Sequence, residues 1–240
     1  MSDSRQVILE RLTAGLDSQR VASKPAQPVP AVVRQGVAAS AALIERFTQA
    51  LDKLSVTWEL AESPITARLK LVSALRDEGT RRVLSWSADN LPVGGILEAL
   101  DVLDVAVTTP DLRAMPVKLR PQDPAGRKEL LAGIETVQVG ITGADAAIAE
   151  TGTLFLASGP GRPLLVSQMP RQHLVLLPAS RLFSSLESWS AVQRQAGAVL
   201  GRPGCLTALT GIGRSQDIEL HPSVGIHGPR KRHVIIVQEL

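Results

Sequence analysis

Short apolar runs separated by helical patterns constrain the fold of this chain more than any other feature. Three of these runs are HLVLLP (His173–Pro178), TLFLAS (Thr153–Ser158) and HVIIVQEL (His233–Leu240). Runs this short and this apolar are typical of strands that are buried on both faces. Because they alternate with segments of helical periodicity, the sequence predicts an α/β fold with a mostly parallel sheet and helices on both of its faces.

The alternation extends from about residue 36 to the end of the chain. The predicted helices are Ala38–Leu54, Thr66–Glu78, Gly95–Leu100 and Phe183–Ala198. The other predicted strands are Val56–Leu60, Arg82–Trp86, Val105–Thr109, Thr136–Thr142 and Cys205–Gly211. Residues 110–127 hold several prolines and little periodicity, which indicates a connection or a flap. The consecutive strand-like runs at 136–158 suggest an added antiparallel hairpin.

The N-terminal residues follow a different pattern. Ser4–Leu16 has apolar residues at helical spacing, and Pro25, Pro28 and Pro30 follow close together. Prolines at this density favour an extended linker. We therefore expect residues 1–35 to form a helical arm and linker, and residues 36–240 to form the main domain. A helix packed directly on the main domain is an equal alternative.

Composition argues against several classes of function. Lys and Arg total 26 against 23 Asp and Glu, and aromatic residues make up 2% of the chain, so we expect no nucleic-acid binding. No apolar run reaches the ~20 residues of a membrane-spanning helix, and the N-terminus lacks the apolar core of a signal peptide, so we expect a cytoplasmic protein. The one cysteine, Cys205, excludes a four-cysteine iron–sulfur cluster within this chain. The four histidines lack metal-ligand spacing, so we expect no metal site.

Polar residues follow several predicted strands, at the sheet edge where open parallel sheets bind ligands. Directly after the strand at 136–142, Asp145 and Glu150 are candidates for a catalytic base or nucleophile. The neighbouring candidates for binding a carboxylate or phosphate are Thr142, Gly143, Thr151, Gly152 and Thr153. Asp, Thr and Gly are also common turn formers, which is an equally consistent interpretation.

Two later segments supply further candidate ligand-binding residues. These are Thr210, Gly211, Arg214 and Asp217 in TGIGRSQDIE, and His227 in VGIHGPRKRH. The guanidinium of Arg214 is suited to a carboxylate or a phosphate, although Asp217 can equally cap a helix. Gly211 and Gly213 form a GxG without the continuation that a dinucleotide site needs. We expect the aspartate loop (Thr142–Thr153) and the arginine loop (Thr210–Asp217) to line one pocket.

Four segments together resemble one known family. VGITGADAAIAETGTLFLASGPG, HLVLLP, GRSQDIE and VGIHGPRKRHVIIV occur in the same order in the lactate-utilisation (LUD) domain family, in its short LutC or YkgG-like type. The resemblance implies a fold like the NagB/RpiA/CoA-transferase superfamily and a role in a cytoplasmic system that oxidises L-lactate to pyruvate. It also implies that iron–sulfur clusters belong to partner subunits. This chain would then need no cofactor, and would bind a small organic acid or aid assembly, with a homo-oligomer also compatible.

Two other functions are compatible with the same residues. A stand-alone isomerase or acyl/CoA-transferase-like enzyme would use Asp145 or Glu150 as base or nucleophile and Arg214 as the anchor of an anionic substrate. A strand followed by GAD is similar to the active-site aspartate loops of sugar-phosphate isomerases in the same superfamily. A non-catalytic ligand-sensing scaffold would instead dock through the N-terminal arm.

Overall fold

The structure, a computed structural model, describes residues 6–8, 10–11, 40–77, 79–110, 124–196, 205–216, 222–225 and 228–238. The chain divides into two units, Met1–Pro30 and Ala31–Leu240. In the first unit, residues 6–8 and 10–11 are helical, and the other residues of the predicted arm and linker lie outside the described part of the chain. The predicted domain boundary at residue 35 stays a prediction.

A six-stranded sheet forms the centre of the second unit. Its strands, in chain order, are β1 (Thr57–Ala61), β2 (Arg82–Ser85), β3 (Ala106–Thr108), β4 (Val139–Gly143), β7 (Gln172–Pro178) and β12 (Lys231–Val237). Their spatial order is β1-β12-β7-β4-β2-β3, and every neighbouring pair is parallel. Leu174–Leu177 and Val234–Val237 are buried without interruption, as expected for parallel strands covered on both faces. The predicted α/β fold with a mostly parallel sheet is confirmed.

Six helices are described in the second unit. They are α1 (Ala41–Lys53), α2 (Pro64–Asp77), α3 (Ile96–Val102), α4 (Pro124–Ile134), α5 (Leu165–Gln168) and α6 (Leu186–Gln195). Helix α1 begins after Ser40, whose Oγ accepts a hydrogen bond from the Leu43 N–H, and it buries Phe47 and Leu51. Helix α4 was not predicted, because it begins at a proline within a proline-rich segment; proline is well suited to a first helical position. None of the described helices has the length and apolar character needed to cross a membrane.

A second, four-stranded sheet corrects the predicted hairpin. Its strands are β5 (Ala146–Ile148), β6 (Thr153–Ala157), β8 (Leu182–Phe183) and β9 (Leu206–Thr210), in the order β8-β5-β6-β9. A separate antiparallel pair joins β10 (Arg214–Gln216) to β11 (Pro222–Val224). The antiparallel hairpin is β5–β6, whereas the run at 136–142 contributes β4 to the parallel sheet. The chain therefore changes sheets at Ala144 and Asp145, between β4 and β5.

Candidate functional site

The direction in which the chain adds strands to the parallel sheet reverses between β2 and β4. From β2 the chain adds β3 on one side, then returns to place β4 on the other side of β2, and continues to β7 and β12. In open parallel sheets, ligands bind beyond the carboxyl ends of the strands at such a switch point. Trp86 and Ser87 follow β2 there, and Asp145 lies two residues after β4. The strand order thus places Asp145, the aspartate that the sequence indicated, at the switch point.

Asp145 is a buried carboxylate with fixed partners. Its side chain is 3% exposed and forms an ion pair with Nη2 of Arg162. Oδ2 also accepts a hydrogen bond from the backbone N–H of Ala157 at 2.7 Å. The backbone N–H of Asp145 donates to the carbonyl oxygen of Phe155 at 2.8 Å. Asp145 therefore joins the end of β4 to β6 and orients the Arg162 guanidinium.

Arg162 lies over the indole ring of Trp86. Its Cζ is 4.3 Å from the ring centroid, a distance typical of a cation–π contact. Trp86 is fully buried, and the Arg162 side chain is 15% exposed. Nε of Arg162 and Nε1 of Trp86 are both buried, and neither has a hydrogen-bond acceptor among the described residues. We refer to Trp86, Asp145 and Arg162 as the switch-point cluster.

The two N–H groups without acceptors are the hydrogen-bond donors that the cluster could offer to a ligand. A buried donor without an acceptor costs about 1–3 kcal/mol, which an acceptor on a ligand would recover. A carboxylate is a suitable acceptor because its two oxygens match the donors of a guanidinium. Oδ2 of Asp145 already accepts from two donors. Arg162 and Trp86 therefore supply the two N–H groups of the cluster that have no acceptor among the described residues, and Asp145 positions Arg162.

A glycine turn places Arg162 over the indole. The Arg162 N–H donates to the carbonyl oxygen of Gly159 at 3.0 Å, and Gly161 has a φ of 68°. A proline followed by a glycine at positive φ is the pattern of a type II turn. The carbonyl of Gly161 accepts from the Ser87 N–H at 2.9 Å, and a Cβ at Gly161 would lie 2.3 Å from Ser87 Oγ. The turn is therefore held against the end of β2, which only glycine permits.

Gly143 allows a second close approach beside the cluster. A Cβ at this position would lie 2.8 Å from Cδ of Pro92 and 3.5 Å from Cζ3 of Trp86. Any side chain at Gly143 would therefore displace the segment that follows β2. The absence of a side chain at Gly143 thus allows Pro92 and Trp86 to pack against the end of β4.

Thr142 belongs to a buried network beneath the site. Its Oγ1 lies 2.8 Å from Nε2 of the fully buried His173. Because Nδ1 of His173 accepts a hydrogen bond from Nε of Arg232, the neutral ring carries its proton on Nε2 and Thr142 is the acceptor. Burial, reinforced by the charge of Arg232, lowers the pKa of His173 well below its usual value. Burial also lowers the pKa of Arg232 to about 10, so Arg232 remains cationic at neutral pH.

Several other predicted residues meet at the far end of the second sheet. Oγ1 of Thr153 lies 2.7 Å from Oγ1 of Thr151 and 2.8 Å from Oγ1 of Thr210. Glu150 is half exposed and lies 3.5 Å from Nη2 of Arg46. Glu150 and Thr151 also border a cavity of about 400 Å³ beside α1. Thr151, Thr153 and Thr210 form a hydroxyl cluster that is separate from Asp145.

The two predicted glycines of this region pack against the end of α1. Gly152 has a φ of 66°, and a Cβ there would lie 2.8 Å from Cδ1 of Leu54. Gly211 also lies against Leu54, and its carbonyl oxygen accepts a hydrogen bond from Nη1 of Arg232. Asp145 contacts Ala157, which is four residues along β6 from Thr153, a separation of roughly 13 Å. The structure thus brings Glu150–Thr153 together with Thr210 and Gly211, but it does not bring them to Asp145.

The remaining predicted residues are only partly described. The backbone of Arg214 pairs with Val224 in the β10–β11 ribbon. Asp217 and His227 lie outside the described residues. Within the part of the chain that the structure describes, no group of three His, Cys, Asp or Glu side chains is placed to hold a metal ion. The proposed roles of Arg214, Asp217 and His227 stay predictions.

Sequence reasoning missed two members of the cluster, Trp86 and Arg162. Trp86 is the last residue of the predicted strand RVLSW, and Arg162 follows SGPG at the end of another strand. An aromatic or cationic residue at such a strand end is a signal that could have included both. Their contact with each other is visible only once the topology is known.

Comparisons with known proteins agree with the fold and with the resemblance. The LUD domain matches residues 44–237. Over 168 residues the chain is 27% identical to "Lactate utilization protein C" of Halalkalibacterium halodurans, covering 70% of this chain and 67% of that protein. Proteins of the same name from Shouchella clausii and Geobacillus sp. (strain WCH70) are 34% and 35% identical over 112 and 118 residues. These matches cover 47% and 48% of this chain, and the chain spans about half of each relative, 49% and 48%.

A crystal structure of a DUF162 family protein from Deinococcus radiodurans has a similar fold. The TM-score is 0.57 at 20% sequence identity, and the similarity covers 82% of this chain and 97% of that one. This likeness supports the α/β architecture. The LUD domain match over most of the chain confirms the resemblance seen in the sequence motifs. The chain belongs to the LUD domain family.

Proposed function

We propose that this chain acts in lactate utilization as a LutC-type subunit of an L-lactate-oxidising system, and that it binds a small organic acid at the switch-point cluster. The relatives named lactate utilization protein C support the pathway. One structural observation supports the ligand: two buried N–H donors, on Trp86 and Arg162, lack acceptors among the described residues at the switch point. A carboxylate would provide both acceptors.

Electron transfer in this system would be carried out by partner subunits. An iron–sulfur cluster with four cysteine ligands cannot be built from Cys205 alone. In this account the clusters belong to cytoplasmic partners, and the chain supplies a ligand site or a step in assembly. Asp145 acts here as a positioning residue, which differs from the nucleophile or base of the isomerase and transferase alternatives.

The test is growth on L-lactate of a host whose own copy of this gene has been deleted. We expect the deletion to abolish growth on L-lactate but not on glucose, and we expect the wild-type chain to restore it. Trp86→Phe removes the indole N–H and keeps an apolar ring, so it should restore growth poorly. Trp58→Phe is the matched control, because Nε1 of Trp58 already donates to Asp52 at 2.8 Å outside the cluster.

Three outcomes would contradict this account in distinguishable ways. Unimpaired growth of the deletion strain on L-lactate would contradict the role in lactate utilization. Full restoration by both tryptophan variants would contradict the ligand site while leaving the pathway intact. Purified chain that oxidises lactate without partners would contradict the assignment of electron transfer to other subunits.

A further inference from the structure

A second concave region lies at the opposite edge of the parallel sheet, where its strands begin. Residues before and at the starts of β2, β4, β7 and β12 enclose a cavity of about 490 Å³. Its basic residues are Arg81, Arg82, Arg171, Arg230 and Lys231. None of the described residues that line it is acidic. The predicted site residues contribute nothing to this cavity.

The concentration of positive charge here is high for this chain. The whole sequence has a net charge of only +3, so five cations without a lining acid represent a local excess. Like charges held together repel one another, and a concave surface with low-dielectric walls strengthens their joint field. An anion in the cavity would relieve that repulsion.

A structural role accounts for two of the five cations. Nη2 of Arg82 donates to the carbonyl oxygen of Gly133 at 2.8 Å, in the last turn of α4, where a cation stabilises a helix end. Lys231 also has an interaction partner. Because Arg82 and Lys231 already have interaction partners, their presence at the cavity needs no ligand to explain it.

The other three arginines have no such explanation. Arg81, Arg171 and Arg230 form no ion pair with any described residue, and their side chains are exposed. Their backbones are nevertheless fixed: the carbonyl oxygen of Arg171 accepts from the N–H groups of Arg230 at 2.7 Å and Lys231 at 3.1 Å. The carbonyl oxygen of Arg81 likewise accepts from the Ala106 N–H at 2.9 Å. Three guanidinium groups without an ion-pair partner among the described residues thus stand at strand ends around one cavity.

We infer that this cavity binds a small anion that carries two or more phosphate groups. Its volume lies within the roughly 300–1,000 Å³ of small-molecule sites. Arginine matches phosphate with paired hydrogen bonds, and three such guanidinium groups exceed what one carboxylate needs. Thr80, Thr136 and Gln138 add neutral donors to the lining. The site is independent of the switch-point cluster, because it lies at the other end of the strands.

The experiment is calorimetric titration of the purified full chain with inorganic pyrophosphate at physiological ionic strength. We expect Arg171→Gln/Arg230→Gln to weaken binding about 10- to 100-fold, because each substitution removes charge-assisted hydrogen bonds. Lys128→Gln/Arg194→Gln is the matched control: it removes two exposed charges from α4 and α6, and it should bind like the wild type. Trp86→Phe should also leave pyrophosphate binding unchanged.

Three results would overturn the inference. The first is no binding at millimolar pyrophosphate, and the second is equal weakening by the two double variants, which would indicate non-specific charge attraction. The third is binding of a polyglutamate peptide that depends on Arg171 and Arg230 when pyrophosphate does not bind. That result would assign the cavity to an acidic protein segment.

Discussion

Replacing Arg162 by methionine should leave a buried carboxylate without its cation. Asp145 is 3% exposed, and in the variant only the Ala157 N–H at 2.7 Å would still donate to its Oδ2. Removing one partner of a buried ion pair typically costs about 3–5 kcal/mol. Methionine retains an apolar stem that can contact the Trp86 ring, so most of the loss would be electrostatic. Since domains are stable by about 5–15 kcal/mol, this is a large fraction of the total.

Urea unfolding of a set of matched variants measures this effect. Asp145→Asn/Arg162→Met should be more stable than Arg162→Met by about 2 kcal/mol or more, because the amide oxygen still accepts from Ala157 and no buried charge remains. Arg46→Met is the exposed control, since Arg46 and Glu150 are each about half exposed, and it should cost at most about 1 kcal/mol. A loss below about 1 kcal/mol for Arg162→Met, or a double variant no more stable than the single one, would refute the reasoning.

Two further predictions concern backbone strain and pH. Gly161→Ala should destabilise the chain by about 1–3 kcal/mol in thermal unfolding, because of its positive φ and the 2.3 Å approach to Ser87, whereas Gly133→Ala, with no atom near the new Cβ, should be neutral or stabilising. Burial lowers the pKa of His173 in the folded state, so the unfolded chain binds a proton more readily. The contribution of neutral His173 to the free energy of unfolding should therefore be fully present above about pH 6.5, and the stability should fall as the pH decreases below that value. His173→Gln should flatten this dependence in urea unfolding between about pH 5 and pH 8, with a residual slope from His233, whose pKa burial also lowers; an unchanged slope would contradict the assignment.

The sequence predicted the parallel sheet well, because its strands are continuous apolar runs. Ala146–Ile148 carries no such signal: three small or apolar residues become a strand only because β6 and β8 pair with them. Helix α4 was hidden by its context, since prolines at 116, 121 and 124 indicate a break in regular structure. In both cases tertiary neighbours or a favourable first helical position overrode the local pattern.

The candidate site was predictable only in part. Asp145 could be selected because a polar residue directly follows a buried strand. Trp86 and Arg162 are far apart in the chain, and their contact depends on the strand order that places β2 beside β4. His173 lies in an apolar run that predicts a strand, and the hydrogen bonds to Thr142 and Arg232 leave no trace in the periodicity.

The central claim is that Trp86 and Arg162 bind the carboxylate of a small organic acid, and the indole N–H of Trp86 reports on it directly. The chain has three tryptophans, so a proton–nitrogen NMR spectrum should contain three indole signals, which Trp→Phe variants assign. During titration with L-lactate or pyruvate, we predict a saturable shift of the Trp86 signal to lower field, as its N–H gains an acceptor. The signals of Trp58 and Trp189 should stay in place. A Trp86 signal that does not move at millimolar ligand, or that moves no more than the other two, would contradict the account.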